Sequence, residues 1–175
     1  PAASLETASA PLRWLLRNYD HTVDVTLRSY PWNFAKQRHL LSADAAPPGF
    51  RWAYRYSFPN GTLRILPVVR YRTDLSVIDI PHEIVGTFIE TNEAAPLPVT
   101  VIRRVENPGE WDPLFVEIVR TALAMGLSNK FTGKTRYLEL ARELNAMARA
   151  KAEEIDTFEG SAESIEQHDI IRARE

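Results

Sequence analysis

The spacing of apolar residues changes twice along the chain. Near the N-terminus they recur at three- and four-residue steps, the period of an amphipathic helix, and the set is Leu12, Leu15, Leu16, Tyr19, Val23, Leu27 and Tyr30. Ser9 is placed to cap this helix. Pro31 should stop it, because proline disfavours the helical conformation at the preceding residue and lacks a backbone donor. The sequence therefore predicts a helix over residues 10–30.

From residue 32 to 105 the pattern alternates instead, as in short strands separated by turns. The stretch RWAYRYSF puts four aromatic rings on one predicted face: Trp52, Tyr54, Tyr56 and Phe58. The segments LSVIDI and EIVGTFIET predict a hairpin around Pro81 and His82, with Gly86 as a bulge. The whole region is predicted to be a β-rich insertion.

The helical period then returns. Asp112 is placed as an N-cap and Pro113 suits the first position of a helix, so a broad apolar face predicts a helix over 112–128, with Gly126 marking its end. A stretch rich in Ala, Glu and Arg predicts a third helix over 135–157. Its apolar stripe is narrower and consists of Tyr137, Ala141, Leu144, Ala148 and Ile155.

These regions together predict an α+β fold: a bundle of about three long α-helices with a central β-rich insertion of short antiparallel strands. A chain of 175 residues with 45% apolar content can bury one core, so residues 1–158 are predicted to form a single domain. Residues 159–175 are polar and acidic, too poor in apolar side chains for a core of their own. They predict an extended C-terminal arm or a disordered end, with Ile165, Ile170 and Ile171 as candidate anchors on a partner.

Composition narrows the classes of protein. No apolar run approaches the ~20 residues that cross a bilayer, and the start PAASLETASAP lacks the pattern of a signal peptide. We therefore expect a protein without a membrane anchor that is assembled in the cytoplasm. The sequence contains no cysteine, which excludes disulfides, thiolate catalysis and cysteine-ligated metals.

Charge is segregated along the chain. Residues 11–72 carry ten Lys/Arg and three Asp/Glu, a net +7, whereas residues 73–175 carry eleven and nineteen, a net −8. This asymmetry favours a surface that faces anions, or a basic face of one subunit that meets an acidic face of another. Simple dispersal of solvated charges remains an equal alternative.

Motifs of catalysis and ligand binding are missing from the sequence. It contains no P-loop, no G-x-G-x-x-G and no G-x-S-x-G, and its four histidines lack the spacing of metal ligands. Two carboxylate pairs, Glu106 with Glu110 and Glu153 with Glu154, fit helix-end electrostatics and solubility better than glycoside hydrolysis. We expect no enzyme activity, no metal and no cofactor. The aromatics and arginines of RWAYRYSF would suit a platform for single-stranded nucleic acid, but a half-buried strand looks the same.

Three stretches carry a resemblance to a known family. They are TLRSYPWNFAKQRHLL at 26–41, YRYSFPNGTLRIL at 54–66 and RRVENPGEWDPLFVEIV at 103–119. In this order, over about residues 10–157, the chain resembles the head-to-tail connectors of tailed bacteriophages. These are the adaptor or tail tubular proteins, best known from short-tailed phages.

The resemblance implies a structural virion protein that forms a homo-oligomeric ring, typically a dodecamer, under the portal protein. Such a ring extends the DNA channel, through which genomic DNA passes without specific binding, and offers a platform for the next tail component, a nozzle or a tail tube or its terminator. The family's C-terminal arms clasp the portal. By position alone, this implies portal contacts at Ile165, Ile170, Ile171, Arg172 and Arg174. A virion-associated peptidoglycan hydrolase and a nucleic-acid-binding module remain the alternatives.

The stretch RSYPWNFAKQR, residues 28–38, is unusually dense in aromatic and basic side chains. Trp32 and Phe34 are two apart, so on an extended chain they would point to one side, while Asn33 would face away and hydrogen-bond a turn. We interpret Pro31, Trp32, Asn33 and Phe34 as a structural corner where the helices meet the β-rich insertion.

Overall fold

The computed structural model describes residues 9–71, 76–132 and 135–160. In this part of the chain there are three α-helices and eight β-strands, divided between two compact units. The helical unit lies within Pro1–Phe34 and Val105–Glu175, and the β unit is Ala35–Arg104.

The helical unit contains α1 (Ala10–Ser29), α2 (Pro113–Leu127) and α3 (Thr135–Gly160). A 3-10 turn at Pro108–Glu110 precedes α2, and a π-helical turn at Ser128–Thr132 follows it. Because α2 packs against both α1 and α3, its apolar face forms the middle of the core. The buried side chains of this core include Val23, Leu27, Trp32, Phe115, Ile118, Val119, Ala141 and Ala152.

Local signals in the sequence account for the C-terminal end of α1 and the start of α2. Tyr30, which precedes Pro31, has φ −136° and ψ 149°, the extended conformation that a following proline imposes. Asp112 caps α2, since its Oδ1 accepts a hydrogen bond from the Leu114 N–H at 2.7 Å. Ser9 occupies the N-cap position of α1 without a capping bond from its side chain.

The β unit is built from eight short strands in three antiparallel sheets. In chain order the strands are β1 (Lys36–Leu41), β2 (Tyr54–Ser57), β3 (Thr62–Ile65), β4 (Val69–Tyr71), β5 (Val77–Asp79), β6 (His82–Val85), β7 (Phe88–Thr91) and β8 (Leu97–Arg103). The sheets have the strand orders β1-β8-β3, β2-β7-β6 and β4-β5. The long strand β8 is therefore central to the first sheet, between β1 and β3.

The predicted fold class, a bundle of about three long helices with a β-rich insertion, is wrong. The strands form a compact unit with a buried core of its own: Tyr56, Val68, Ile80, Ile89, Leu97, Val99 and Val101. Side chains alternate across each strand, so the inward residues of several sheets can bury one another without a helix as support. Of the predicted arm, 159–175, the described residues reach only Glu159 and Gly160, which end α3.

The hairpin predicted around Pro81 and His82 does not form either. β5 pairs with β4, and β6 pairs with β7 through a two-residue loop at Gly86 and Thr87. Gly86 has φ +61°, in the left-handed region that favours glycine. It is therefore the turn residue of the β6–β7 hairpin and not a bulge within one strand.

Gly126 is the second-to-last residue of α2, at the predicted end of this helix, and the indole of Trp14 occupies the space beside it. A Cβ atom built on Gly126 would come within 2.1 Å of Trp14 Cη2. Glycine weakens a helix by about 1 kcal/mol relative to alanine. Here the absence of a side chain at Gly126 lets the Trp14 ring on α1 lie close to the backbone of α2.

We expect Gly126→Ala to destabilise the protein by about 1–3 kcal/mol, because the new methyl group overpacks against Trp14. In a Trp14→Ala background the same change should instead stabilise by up to about 1 kcal/mol through helix propensity. Chemical denaturation of the four proteins of this double-mutant cycle measures the coupling. Equal effects of Gly126→Ala in both backgrounds would contradict the contact.

Candidate functional site

Trp32 is the centre of an aromatic cluster in the helical unit. Its side chain is 1% exposed, and its indole N–H donates to the Thr26 carbonyl at 3.0 Å. The ring meets Phe115 of α2 edge to face, with centroids 5.5 Å apart, and Phe34 meets the same Phe115 ring at 5.1 Å. Phe115 also contacts Trp111, with ring centroids 5.2 Å apart. Edge-to-face pairs of this kind add stability beyond the area they bury, so one buried phenylalanine joins residues far apart in sequence.

Asn33 and Tyr30 connect this corner to the last turns of α3. The backbone N–H of Asn33 donates to Asp156 Oδ1 at 2.8 Å, and its side-chain amide donates to the Asp156 carbonyl at 2.7 Å. The Tyr30 hydroxyl donates to the Glu153 carbonyl at 3.1 Å and lies 2.8 Å from the Thr157 hydroxyl. The corner thus fixes where α3 passes the end of α1.

The conformation of the corner differs from the extended chain that the sequence suggested. Asn33–Ala35 forms a 3-10 turn, and Asn33 bonds to Asp156 of α3, a partner that the sequence did not predict. Phe34 is the last residue of the helical unit and Ala35 the first of the β unit. The residues of PWNF therefore stand where the chain passes from one unit to the other, with both aromatic side chains in the helical core.

We expect Trp32→Ala to lower the free energy of unfolding by about 3–5 kcal/mol, since it empties a buried indole-sized volume. Trp52→Ala is the matched control, because the Trp52 indole N–H bonds only to the exposed Glu83 carboxylate, at 3.1 Å. Trp52→Ala should therefore lower the free energy of unfolding much less than Trp32→Ala does. Urea denaturation compares the two variants, and a Trp32→Ala protein as stable as wild type would show that the cluster is not the core of the helical unit.

The strand β2, part of the stretch RWAYRYSF, contributes to the core of the β unit more than it forms an open platform for nucleic-acid bases. Tyr56 is fully buried, and its hydroxyl donates to the Glu93 carbonyl at 2.7 Å. Phe58 packs against the same core, while Tyr54 is 37% exposed. The buried Tyr56 ring is not available to stack on a base. The geometry of this strand therefore fits the alternative of a half-buried strand.

Burial raises the pKa of the Tyr56 phenol above its ordinary value, and the nearby Tyr54 and Glu93 add to the rise. The folded state thus holds the phenol proton more tightly than the unfolded chain. This contribution to stability is complete below about pH 10 and is lost as the pH rises above that value.

The stability of Tyr56→Phe should therefore fall less steeply than that of wild type above about pH 10. At neutral pH the variant should be less stable, because it lacks a hydrogen bond worth about 1 kcal/mol. Thermal melts between neutral and alkaline pH measure this dependence. Tyr71→Phe, at a site that is 68% exposed, is the control and should keep the wild-type decline. If the stability of Tyr56→Phe fell as steeply with pH as that of wild type, the Tyr56 phenol would not be the source of the decline.

Several arginines of the β unit are neutralised within it. Arg55 Nη2 lies 2.7 Å from Glu90 Oε1 across the β2–β7 pair, where Glu90 is 7% exposed, and the guanidinium also covers the Phe88 ring. Two more ion pairs join Arg51 to Glu83 and Arg70 to Glu93. Part of the positive charge counted in the sequence is therefore balanced locally, and it does not all form an anion-binding surface.

Large apolar side chains are exposed along α1 and α3. The sequence pattern put Leu144 and Ile155 in the same stripe as Ala141 and Ala148, but the structure divides them. Ala141 and Ala152 are buried, whereas six large residues of α3 are 38–68% exposed: Tyr137, Leu140, Leu144, Met147, Ile155 and Phe158. The signal in the sequence that could have revealed this surface is the presence of further large apolar residues, Leu140 and Met147, beside the narrow stripe, because one neighbouring helix does not cover both.

The remaining candidate residues are not brought together. The five residues assigned to portal binding, Ile165, Ile170, Ile171, Arg172 and Arg174, lie outside the described residues. Of the two carboxylate pairs, Glu153 is half-buried and Glu106, Glu110 and Glu154 are exposed. In the described ranges no three potential metal ligands converge, and no helix there has the length and apolarity to cross a membrane.

No protein-family model matches this chain, and no curated protein matches it significantly.

Proposed function

We propose that this chain is a structural virion protein, a head-to-tail adaptor that forms a ring under the portal of a tailed bacteriophage. In this role it extends the DNA channel, binds neighbouring copies of itself and the portal protein, and carries the next tail component. The protein acts by assembling with other subunits and does not catalyse a reaction. Twelve copies per ring and a location at the portal-tail junction of the virion belong to the same proposal.

The observation that carries the proposal is the packing of two of the family-like stretches against each other. PWNF, in the first stretch, and EWDPLF, in the third, are far apart in sequence, yet Trp32 and Phe34 both contact Phe115 at 5.1–5.5 Å. The middle stretch supplies Tyr56 to the core of the β unit. The resemblance thus rests on residues that act together in folding, which favours a shared architecture over chance similarity of short motifs.

A second support is the apolar surface of the helical unit. Soluble monomers rarely expose apolar patches larger than roughly a few hundred Å², and larger patches with a polar rim mark contact sites for other proteins. Six large side chains of α3 are between 38% and 68% exposed. A subunit that works inside a ring would cover such a surface with its neighbours.

The proposal is tested by mixing the chain with the portal protein encoded in the same genome and imaging the product by electron microscopy. We expect a ring of this chain at one end of the portal. Failure of the intact chain to form a ring on the portal would overturn the adaptor function.

Truncation after Gly160, which removes residues 161–175 and leaves α3 complete, should preserve the fold and abolish docking on the portal. Two further variants separate the contributions of the apolar and the basic side chains to docking. One replaces Ile165, Ile170 and Ile171 with serine, and the other replaces Arg172 and Arg174 with glutamine. We expect the isoleucine variant to lose docking, because apolar anchors dominate such contacts. Circular dichroism checks the fold, and undiminished docking of the truncated chain would refute the role of the arm.

A further inference from the structure

The side of α3 that faces the core is lined by small and polar residues. Ala141 and Ala152 are 8% and 3% exposed, and Asn145 and Ala148 between them are half-buried. These four residues follow one another at four-, three- and four-residue steps, so they form one line along the helix. We call them the α3 seam. Only one member of the seam, Asn145, is polar.

Large apolar side chains come directly before three members of the α3 seam. Leu140, Leu144 and Met147 each precede one of them and are 52%, 49% and 68% exposed. Successive residues of an α-helix lie about 100° apart around its axis, so a rotation of α3 by that angle would bring the three large residues to the position of the seam. It would also bury more apolar area. Apolar burial therefore does not explain the observed orientation of the helix.

Asn145 makes hydrogen bonds that depend on this orientation. Its Nδ2 donates to the Ile118 carbonyl at 3.0 Å and to the Thr121 hydroxyl at 2.8 Å, and both acceptors belong to α2. Thr121 is only 9% exposed. A rotation of α3 by about 100° would move the amide away from both atoms. In packed helices a single inward asparagine fixes how the helices fit together, at a cost in stability.

Arg149 extends this hydrogen-bond network to α1. Its Nε donates to Asn145 Oδ1 at 3.3 Å, and its Nη1 donates to the Ser29 hydroxyl at 3.1 Å. The Ser29 hydroxyl in turn donates at 2.8 Å to the Thr26 carbonyl, which also accepts the bond from the Trp32 indole. One chain of hydrogen bonds therefore runs from α2 through α3 to the last turn of α1, and a rotation of α3 would break it on both sides.

A second polar contact holds α3 further along its length. The backbone N–H of Asn33 donates to Asp156 Oδ1 at 2.8 Å. Asp156 comes 11 residues after Asn145, and three turns of α-helix contain about 10.8 residues. The two side chains therefore lie almost in line along α3. Each resists the same rotation, so the orientation of the helix is fixed at two points.

We propose that the polar contacts of Asn145, Arg149 and Asp156, and not the burial of apolar area, set the orientation of α3 about its own axis. They hold the alanines of the α3 seam against the core and keep Leu144 and Met147 at the surface. Asn145 is thus a positioning residue that stabilises one orientation of the helix over a more apolar alternative. The inference concerns one copy of the chain, so it goes beyond the proposed function and does not depend on it.

Cysteine modification measures the orientation directly, because the chain contains no cysteine of its own. Leu144→Cys and Ala148→Cys are made in separate proteins, and each is treated with a maleimide. In the otherwise unchanged chain we expect Leu144→Cys to react at least about tenfold faster than Ala148→Cys, because its thiol needs no local opening of the structure. Adding Asn145→Ala and Asp156→Ala should reverse this order, since the seam, now made of alanines alone, then turns outward.

Two outcomes would overturn the proposal. If circular dichroism shows that the double variant is folded and Leu144→Cys still reacts faster, apolar packing sets the orientation without the polar contacts. If both thiols react equally fast, the polar contacts attach α3 to the core but do not orient it. Glu143→Ala with Glu154→Ala is the matched control. Both glutamates are exposed on α3, so their loss should leave the order of the two rates as in wild type.

Two further variants separate orientation from stability. Asn145→Ala alone keeps the contact at Asp156, so it should narrow the difference between the two rates. This protein decides the question if the double variant does not fold, and an unchanged difference in it would contradict the proposal. Adding Leu140→Gln and Met147→Gln to the double variant removes apolar area that competes with the seam, so Ala148→Cys should react slowly again. Polar substitutions would not rescue a chain that had only lost stability, and absence of rescue would also overturn the proposal.

Discussion

The helical unit depends on the burial of Trp32. Its indole N–H is bonded to the last part of α1, its ring packs on Phe115 of α2, and the next residue, Asn33, bonds to Asp156 of α3. Three helices are thereby positioned by two consecutive residues. A buried tryptophan tolerates no void and requires a partner for its N–H, so the path of the chain at this point is fixed, and with it the angle at which α1 and α3 present their outer surfaces.

Local chemistry was predictable from the sequence, and contacts between distant residues were not. Pro31 and Asp112 act on their immediate neighbours, so a proline and an aspartate at the right positions sufficed to locate the ends of two helices. The partner of Asn33 is 123 residues away, and no spacing in the sequence identifies it. The sequence therefore predicts an extended backbone at the corner, where the structure has a 3-10 turn, and it does not predict the bond to α3.

The error in the fold class has a related cause. Alternation predicts a strand but does not say which strand it pairs with, nor whether the inward residues meet a helix or another sheet. Gly86 illustrates this: within EIVGTFIET a bulge and a two-residue turn both accommodate glycine, and the turn converts one strand into two. Strands that pair in three sheets then enclose Tyr56 and Ile89 in a core that belongs to the β unit alone.

The two sides of α3 differ in how well packing within the single chain explains which residues they carry. Toward α2 the helix presents Ala141 and Ala152, and small side chains allow the two backbones to approach closely. Away from α2 it presents Leu144 and Met147, which are 49% and 68% exposed and would bury far more apolar area than the alanines. Apolar burial in the isolated unit gives no reason to place the larger residues outside. The proposed contact with a second molecule would give one, because their apolar area would then leave water on association.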